Sequence, residues 1–223
     1  MKLNAKSEAA NISENIRSSC KIRGNSLAIR YPIYGVGVND ADYVTQSRTK
    51  ERKMMCPAYA AWNGMLRRVC SEEFHKRKPT YKDVKVCDEW KYFMRFREWF
   101  VKNHVDGYQL DKDLLIIDNK IYSPETCIYA PNWLNSFTIS CKSSRGDYLV
   151  GVCWNKQKNK FKAQCCNPIT KKAQHLGYFS SEEDAHSAWL NRKLELALEL
   201  KPEMDEIDLR VYPNVVEIIK NMK

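Results

Sequence analysis

Large apolar residues recur with helical spacing in two neighbouring segments, and this pattern restricts the fold more than any other feature. The first segment begins at Pro57 and continues to about Phe74; the second begins at Asp88, a predicted N-cap, and continues to Phe100. Aromatic side chains at this spacing are Tyr59, Trp62, Trp90, Phe93, Phe96 and Trp99. Because side chains of this size stabilise a fold when water is excluded from them, we expect two helices with an aromatic core.

A strand pattern follows these helices. Residues 109–117 have the composition of a strand, residues 118–120 that of a tight turn, and Ile121–Tyr122 that of a returning strand. A short helix is predicted over residues 131–137. We therefore expect the order strand, turn, strand, helix in the central part of the chain.

Three more short strands, at residues 148–154, 160–166 and 173–179, are predicted before a helix that Ser180 or Ser181 caps. Apolar and polar residues alternate along the middle strand, with Phe161, Ala163 and Cys165 on one face and Lys160, Lys162 and Gln164 on the other. This alternation predicts a small three-stranded antiparallel sheet packed on one helix, and an α+β fold class.

Composition divides the chain into four segments. They are an N-terminal arm and strand region (1–53), a central module (54–140), a C-terminal module (147–200) and an extension (201–223) with a predicted strand and helix. Within the first segment, residues 1–24 are predicted to be flexible or marginally helical, and a strand and turn are predicted over residues 27–40. A linker is predicted at residues 139–147.

Positive charge is concentrated in one part of the chain. The formal net charge is +10, and residues 142–172 carry eight Lys/Arg against one acidic residue, whereas residues 173–223 carry six against ten. A cationic stripe attracts phosphates and releases counterions when it binds them. The same charge also fits a solvated, lysine-rich hairpin, so charge alone leaves both interpretations open.

The nine cysteines contain no C-x-x-C pair, and their odd number is atypical of a secreted disulfide framework. The longest aliphatic run, Leu114–Ile117, is too short to cross a bilayer, and the N-terminus lacks an apolar signal segment. We therefore expect a cytoplasmic protein without membrane contact. Most cysteines are expected to be buried apolar residues; a structural Zn²⁺ site is the alternative, with the ligands Cys56, Cys70, Cys87 and Cys127.

Several anchor residues occur in order near the C-terminus: Gly151–Val152, Phe161, Ala163, Leu176–Phe179 and the helix motif SSEEDAHSAW. Residues 148–193 thereby resemble the plant ethylene-response-factor (ERF) type DNA-binding domain. The resemblance implies a sheet laid against double-stranded DNA, with contacts from Trp154, Lys156, Lys160, Lys162, Gln164 and Lys172. For Trp154, a position in the core is the alternative.

Three positions depart from the plant pattern. Where plant domains often carry base-reading arginines, this chain has Cys153, Asn155 and Cys166. Arginine makes the bidentate contacts with guanine, whereas lysine holds phosphate without reading bases. We therefore expect the module to contribute affinity more than sequence specificity.

The central module contains the motifs CPAYAAWNGMLRRVC, YKDVKVCDEWKYFMRFREWF and GYQLDKDLLIIDNKIYSPETCIYAP. Over residues 54–137 it resembles the phage-encoded HNH-type homing-endonuclease-like proteins. The resemblance implies a ββα-metal (HNH-like) module, hydrolysis of DNA phosphodiesters with Mg²⁺ or Mn²⁺, and location in the host cytoplasm if the protein is phage-encoded.

By this resemblance Asp111 and Asn135 are the candidate metal ligands, and Asn119 orients the catalytic group. Lys112 stands where the HNH core has a histidine, and none of the four histidines falls at the expected place. Lys112 would then neutralise the phosphorane, while Asp113 or Tyr122 activates water or Tyr122 is itself the nucleophile. In the structural alternative, Asp111–Lys112–Asp113 is a strand end at the surface with an ion pair.

The sequence therefore leaves three functions open. The first is a metal-dependent DNA endonuclease, and the second is a non-catalytic DNA-binding regulator derived from a nuclease, which the missing histidine favours. The third is a protein inhibitor that uses its basic surface on an acidic partner.

Overall fold

The computed structural model describes residues 7–22, 30–48, 53–139 and 147–222. The chain divides into two compact units. The described residues before Leu114, together with Asp118–Tyr129, belong to the first unit; Leu114–Ile117 and the described residues from Ala130 onward belong to the second. The fold is mixed α+β, as predicted. Most of the predicted linker lies outside the described residues, and the division into four segments stays a prediction.

Helices around an aromatic core make up most of the first unit. They are α1 (Glu8–Ser19), α2 (Pro57–Cys70), α3 (Glu72–Arg77) and α4 (Phe93–Asn103). Trp62 and Trp90 are fully buried, and Trp62 Nε1 donates a hydrogen bond of 2.7 Å to the Trp90 carbonyl oxygen. Burial of each such side chain contributes about 2 kcal/mol. The predicted aromatic core is confirmed.

The first predicted helix begins at Pro57 as expected, but its end and the start of the second helix were placed wrongly. The first stops at Cys70, because Ser71 is extended and its hydroxyl accepts a hydrogen bond from the Phe74 amide to cap α3. Asp88 precedes a 3-10 helix, and its carboxylate binds Lys91 Nζ at 2.6 Å instead of capping an α-helix. Since Tyr92 is also extended, α4 begins only at Phe93.

The predicted N-terminal arm contains a docked helix. Ser7 caps α1, and the Asp106 carboxylate accepts hydrogen bonds from the Glu8 and Ala9 amides at 2.5 and 3.1 Å. The buried Ser13 hydroxyl accepts a hydrogen bond of 3.2 Å from the Ala58 amide of α2. These contacts satisfy backbone groups at the ends of both helices, which explains why residues of weak helical periodicity are ordered here.

The strands of the first unit are short. β1 (Gln46–Arg48) pairs antiparallel with β2 (Lys53–Met55), and β4 (Gln109–Asp111) pairs with β6 (Ile128–Ala130), which continues to the first residue of the second unit. β3 (Lys85–Val86) pairs in parallel with β5 (Ile121–Tyr122).

The predicted hairpin between residues 109–117 and Ile121–Tyr122 was therefore wrong. The reason lies in the backbone carbonyls after Asp111. The Lys112 carbonyl accepts a hydrogen bond from the Asn119 side chain at 2.7 Å. The Leu114 and Leu115 carbonyls of the second unit accept from Asn214 at 3.2 and 2.7 Å. Side-chain amides thus occupy the backbone carbonyls that a longer strand would have used for pairing with its neighbour.

The second unit has the predicted order of strands and helix near the C-terminus. After α5 (Asn132–Phe137) come β7 (Val152–Asn155), β8 (Lys160–Cys166) and β9 (Ala173–Phe179), which form an antiparallel sheet with β8 in the middle. The helix α6 (Glu182–Glu199) follows, capped by Ser181, whose hydroxyl accepts a hydrogen bond of 3.1 Å from the Asp184 amide. The predicted three-stranded antiparallel sheet is confirmed, and α6 packs against it.

The described part of the C-terminal extension consists of two helices and the turns beside them. It contains α7 (Lys201–Ile207) and α8 (Val211–Lys220), so the strand predicted there was wrong. Pro202 occupies the first turn of α7, a position that needs no backbone N–H donor. Val211, Val215 and Ile219 are fully buried on one face of α8, which gives this extension a core position.

The strand and turn predicted over residues 27–40 fall partly outside the described residues, which omit 23–29. Residues 34–36 form a turn closed by a bridge between Ile33 and Gly37. Tyr34 and Gly35 adopt φ values of 50° and 77° in this turn. Between residues 30 and 40 the described chain contains no extended strand.

Candidate nucleic-acid interface

The candidate interface is the polar face of the three-stranded sheet, called here the lysine face. The register places Lys162 of β8 opposite Cys153 of β7 and Tyr178 of β9. Because directly opposed residues of an antiparallel sheet share a face, these side chains lie on one surface with Lys160 and Gln164. The other surface carries the buried residues that pack on α6.

A β-bulge sets the side-chain directions in β9. The register passes from Gly177 to His175, so Leu176 is the additional residue. Gly177 has a φ of 138°, which glycine adopts readily because it has no Cβ. As a result, His175 and Tyr178 both lie on the lysine face, with ring centroids 4.7 Å apart.

The charged side chains of the three-stranded sheet and its turns are all positive. Residues 152–179 contain six lysines and no acidic residue. Lys162 is half-buried, and the exposed ones are Lys156, Lys158, Lys160, Lys171 and Lys172. Among the described residues, none of the six forms a salt bridge. Since no carboxylate of the described chain pairs with these lysines, their charges are available to an anionic partner.

The turns at the two ends of β8 hold further lysines in ordered backbone. In the β7–β8 turn, which contains Lys156, the Asn155 side chain accepts a hydrogen bond of 2.9 Å from the Lys158 amide. In the β8–β9 turn, which contains Lys172, Asn167 accepts two hydrogen bonds of 2.9 Å from backbone amides. Asparagine favours such turns because its side chain mimics a backbone carbonyl. Lysines thus flank the lysine face at both ends.

Trp154 does not lie on the lysine face. Its direct cross-strand partner is Phe161, and the two ring centroids are 4.8 Å apart at an interplanar angle of 70°. Phe161 alternates with Lys160 and Lys162, so Trp154 belongs to the surface on the α6 side. The structure therefore separates Trp154 from the predicted contacts Lys160, Lys162 and Gln164, and its side chain is half-buried on the α6 side.

Lys158, His175 and Tyr178 belong to this site but were not predicted from the sequence. Lys158 Nζ lies 4.0 Å from the centroid of the Tyr178 ring, which is a cation–π contact. The alternation of Lys156, Lys158 and Lys160 in the sequence could have indicated Lys158. No comparable signal existed for the β9 residues, because the bulge interrupts their alternation.

The predicted catalytic motif of the central module, Asp111–Lys112–Asp113, begins at the last residue of β4. Asp111 Oδ1 accepts a hydrogen bond of 2.7 Å from the Asp113 amide. Lys112 is only 6% exposed; its Nζ contacts the Asp113 carboxylate and donates a hydrogen bond of 3.0 Å to the Asn119 carbonyl. The ion pair of the structural alternative is therefore present. An ammonium that donates to two oxygens is suited to neutralising negative charge and not to accepting a proton.

The side chain of Asn119 forms hydrogen bonds with backbone groups of the loop. Its Nδ2 donates hydrogen bonds of 2.7 Å to the carbonyls of Lys112 and Ile121, and its Oδ1 accepts one of 3.1 Å from the Ile121 amide. These bonds close the loop between β4 and β5. The observed role of Asn119 is therefore structural, and the catalytic role stays a prediction.

Tyr122 is buried in the first unit. It is 2% exposed, and burial raises the pKa of its hydroxyl far above the usual value. The Arg68 guanidinium lies 5.5 Å from the ring centroid and only partly opposes this shift. A hydroxyl that keeps its proton and excludes water is poorly suited to act as a nucleophile or to activate water.

The predicted Mg²⁺ or Mn²⁺ ligands belong to different units, Asp111 to the first and Asn135, on α5, to the second. In residues 7–22, 30–48, 53–139 and 147–222, no group of three or more His, Cys, Asp or Glu side chains is placed to hold a metal ion. Hard divalent cations need several oxygen ligands, and one oxygen of Asp111 already bonds an amide. The Mg²⁺ or Mn²⁺ ion therefore stays a prediction.

The predicted zinc ligands are free thiols. Cys56 and Cys127 are buried, and burial raises the pKa of Cys127 to about 12. Burial also raises the pKa of Cys70 and of Cys87 above the usual range. Because zinc binds the thiolate, these surroundings favour buried apolar cysteines; the zinc site stays a prediction.

No helix in the described parts of the chain combines the length and the apolar character that crossing a bilayer requires. Comparisons of the chain with protein-family models, with curated proteins and with solved structures found no match.

Proposed function

We propose that this protein binds double-stranded DNA through the lysine face of its second unit. The observation that carries the proposal is the separation of the two sheet surfaces. One surface packs on α6, and the other presents Lys160, Lys162 and Gln164 in a stretch of 28 residues, 152–179, without a carboxylate. A surface of this kind binds the phosphate backbone through counterion release.

The composition of the lysine face indicates affinity more than base reading. It carries lysines and no arginine, and Cys153 lies directly opposite Lys162, at its centre. Lysine acts as a point charge towards phosphate, whereas bidentate recognition of guanine is typical of arginine. We therefore expect weak discrimination between duplex sequences. The ERF-type resemblance supports duplex DNA as the partner.

A salt titration of duplex affinity tests this proposal. The variant Lys160→Gln/Lys162→Gln should reduce the steepness of log K against log salt by about 0.9 for each phosphate interaction that the substitutions remove. The matched control is Lys102→Gln/Lys220→Gln, which removes the same charge from exposed positions on α4 and α8. Equal slopes for the two variants would contradict the proposal. Equally tight binding to polyglutamate, abolished in the sheet variant, would instead support the protein-inhibitor function.

DNA cleavage is a second proposal, supported by the HNH-type resemblance and by the pairing of β4 with β6, with Asp111 at the end of β4. Supercoiled DNA incubated with Mg²⁺, Mn²⁺ or EDTA tests it against Asp111→Ala. Metal-dependent cleavage that this variant loses would support an endonuclease. Tight binding without cleavage under any metal would support the non-catalytic regulator.

A further inference from the structure

We propose that the first unit has a second phosphate-binding surface, formed by Lys76, Arg77, Lys78, Lys82, Lys85 and Lys120 and called here the basic rim. This inference rests on the proposed duplex binding, and it adds contacts that the lysine face does not provide. All six side chains are exposed. Between residues 76 and 85 the chain has five basic residues against one acidic residue, Asp83.

The backbone brings these residues together. A 3-10 helix (Pro79–Tyr81) directly follows α3, and β3 follows it after three residues. The Lys85 amide then donates a hydrogen bond of 2.6 Å to the Lys120 carbonyl, which brings the backbone of Lys120 next to Lys85, whose register partner is Ile121. Backbone pairing thus brings Lys120 close to the basic segment 76–85, from which it is distant in sequence.

Aromatic packing holds the rim in place. The Phe74 and Tyr81 rings meet edge to face with centroids 5.4 Å apart, and the Arg67 guanidinium of α2 lies 5.7 Å from the Phe74 centroid. The His75 ring nitrogen Nε2 forms a hydrogen bond of 2.9 Å with the Arg68 carbonyl. These contacts attach α3 and the following turn to α2. A phosphate ligand would therefore meet an ordered backbone, which lowers the entropic cost of binding.

The favourable position of cations at the end of a helix explains only some of the basic residues of the rim. Lys76 and Arg77 lie in the last turn of α3, where cations are favoured, and Arg77 lies 3.5 Å from Glu73 in an exposed pair. Lys78 is the C-cap of α3, and Lys82, Lys85 and Lys120 lie outside the α-helices. Among the described residues none of these four forms a salt bridge. Their charges therefore favour an external polyanion.

The closing experiment compares the full-length variants Lys82→Gln/Lys85→Gln, for the rim, and Lys160→Gln/Lys162→Gln, for the lysine face, in a salt titration with one duplex oligonucleotide. The control is again Lys102→Gln/Lys220→Gln. We expect the rim variant to lower the salt slope by about 1 to 2 relative to the control, and the combined quadruple variant to lower it by the sum of both effects. Unchanged circular dichroism verifies folding.

Each outcome separates the two proposals. A rim slope equal to that of the control, with a reduced slope for the lysine-face variant, overturns the rim and leaves the proposed function intact. A reduced slope for the rim variant alone overturns the lysine face as the DNA contact and supports the rim. The rim variant is also titrated with polyglutamate. If it lowers the salt slope of polyglutamate binding as much as that of duplex binding, the assignment of a nucleic-acid partner to the rim is wrong.

Discussion

A Cβ atom added at Gly151 would lie 2.1 Å from Cγ and from Cδ1 of Trp189. Gly151 immediately precedes β7 and has a φ of 81°, and Trp189 is a buried residue of α6. The missing side chain therefore allows the indole to lie against the backbone at the start of the sheet. This contact fixes how closely α6 approaches the surface opposite the lysine face.

Gly151→Ala should destabilise the second unit. The variant combines an unfavourable left-handed backbone with a displaced indole, and we expect the free energy of unfolding to fall by about 2–4 kcal/mol. Gly107→Ala is the control, because its φ is 80° but a Cβ there meets nothing within 4 Å. Its expected loss is about 1 kcal/mol. Chemical denaturation followed by circular dichroism measures both, and equal losses would show that the Trp189 contact is unimportant.

Arg97→Ala should loosen α1. Arg97 is 2% exposed, and its guanidinium donates hydrogen bonds to the Glu14 carboxylate at 2.9 Å and to the Ser13 carbonyl at 3.3 Å. Loss of a buried charged partner costs about 3–5 kcal/mol, and half-exposed Glu14 places this pair at the lower end. Arg95→Ala is the control, since Arg95 forms only an exposed pair with Glu98.

Hydrogen exchange of the α1 amides and denaturant titration measure the effect. Arg97→Ala should accelerate exchange throughout α1, whereas Arg95→Ala should change stability by less than about 0.5 kcal/mol. Similar behaviour of both variants would contradict a role for Arg97 in docking α1.

Acidification should weaken the attachment of α1 through His104. Its Nδ1 forms a hydrogen bond of 2.8 Å with the hydroxyl of Ser7, the α1 N-cap, and burial lowers its pKa below the usual 6.5 although Asp106 opposes the shift. Because the unfolded state binds this proton more readily, His104 contributes stability above pH 6.5 that is lost as the pH falls through the folded-state pKa. A protonated ring also lies unfavourably near the positive end of α1.

An NMR titration of the His104 ring, with α1 amide exchange measured over the same pH range, checks this expectation. His104→Gln should remove this pH dependence while retaining a polar partner for Ser7. His75→Gln is the control, because His75 contacts the carbonyl of Arg68 and lies away from α1. A pKa of His104 above 6.5, or an unchanged pH dependence in His104→Gln, would contradict the prediction.

Asn119→Asp should separate a structural from a catalytic role of this residue. The substitution keeps the acceptor for the Ile121 amide but removes both Nδ2 donor bonds, so we expect a loss of about 1–3 kcal/mol and faster exchange of the loop between β4 and β5. Asn103→Ala, which removes one exposed bond to the Trp99 carbonyl, should cost less. Full stability with selective loss of DNA cleavage would instead indicate catalysis.

Local patterns predicted the parts of the fold that depend on which face of an element is buried. The aromatic spacing predicted the core around Trp62 and Trp90, and the alternation in β8 predicted the polar face that carries Lys160 and Lys162. Capping chemistry also predicted Ser180 or Ser181 at the start of α6, and the structure has Ser181 there. Each of these properties follows from side chains within a few residues of one another, so the sequence determined them by itself.

Tertiary structure alone decided which segments pair and which side chains meet. β5 pairs with β3, 36 residues earlier by the register of Lys85 with Ile121, and Tyr122 is thereby buried where the sequence suggested chemistry. The β9 bulge turned His175 and Tyr178 to one face, and the register with Phe161 placed Trp154 on the other. Such pairings depend on packing between distant segments, which local periodicity does not encode.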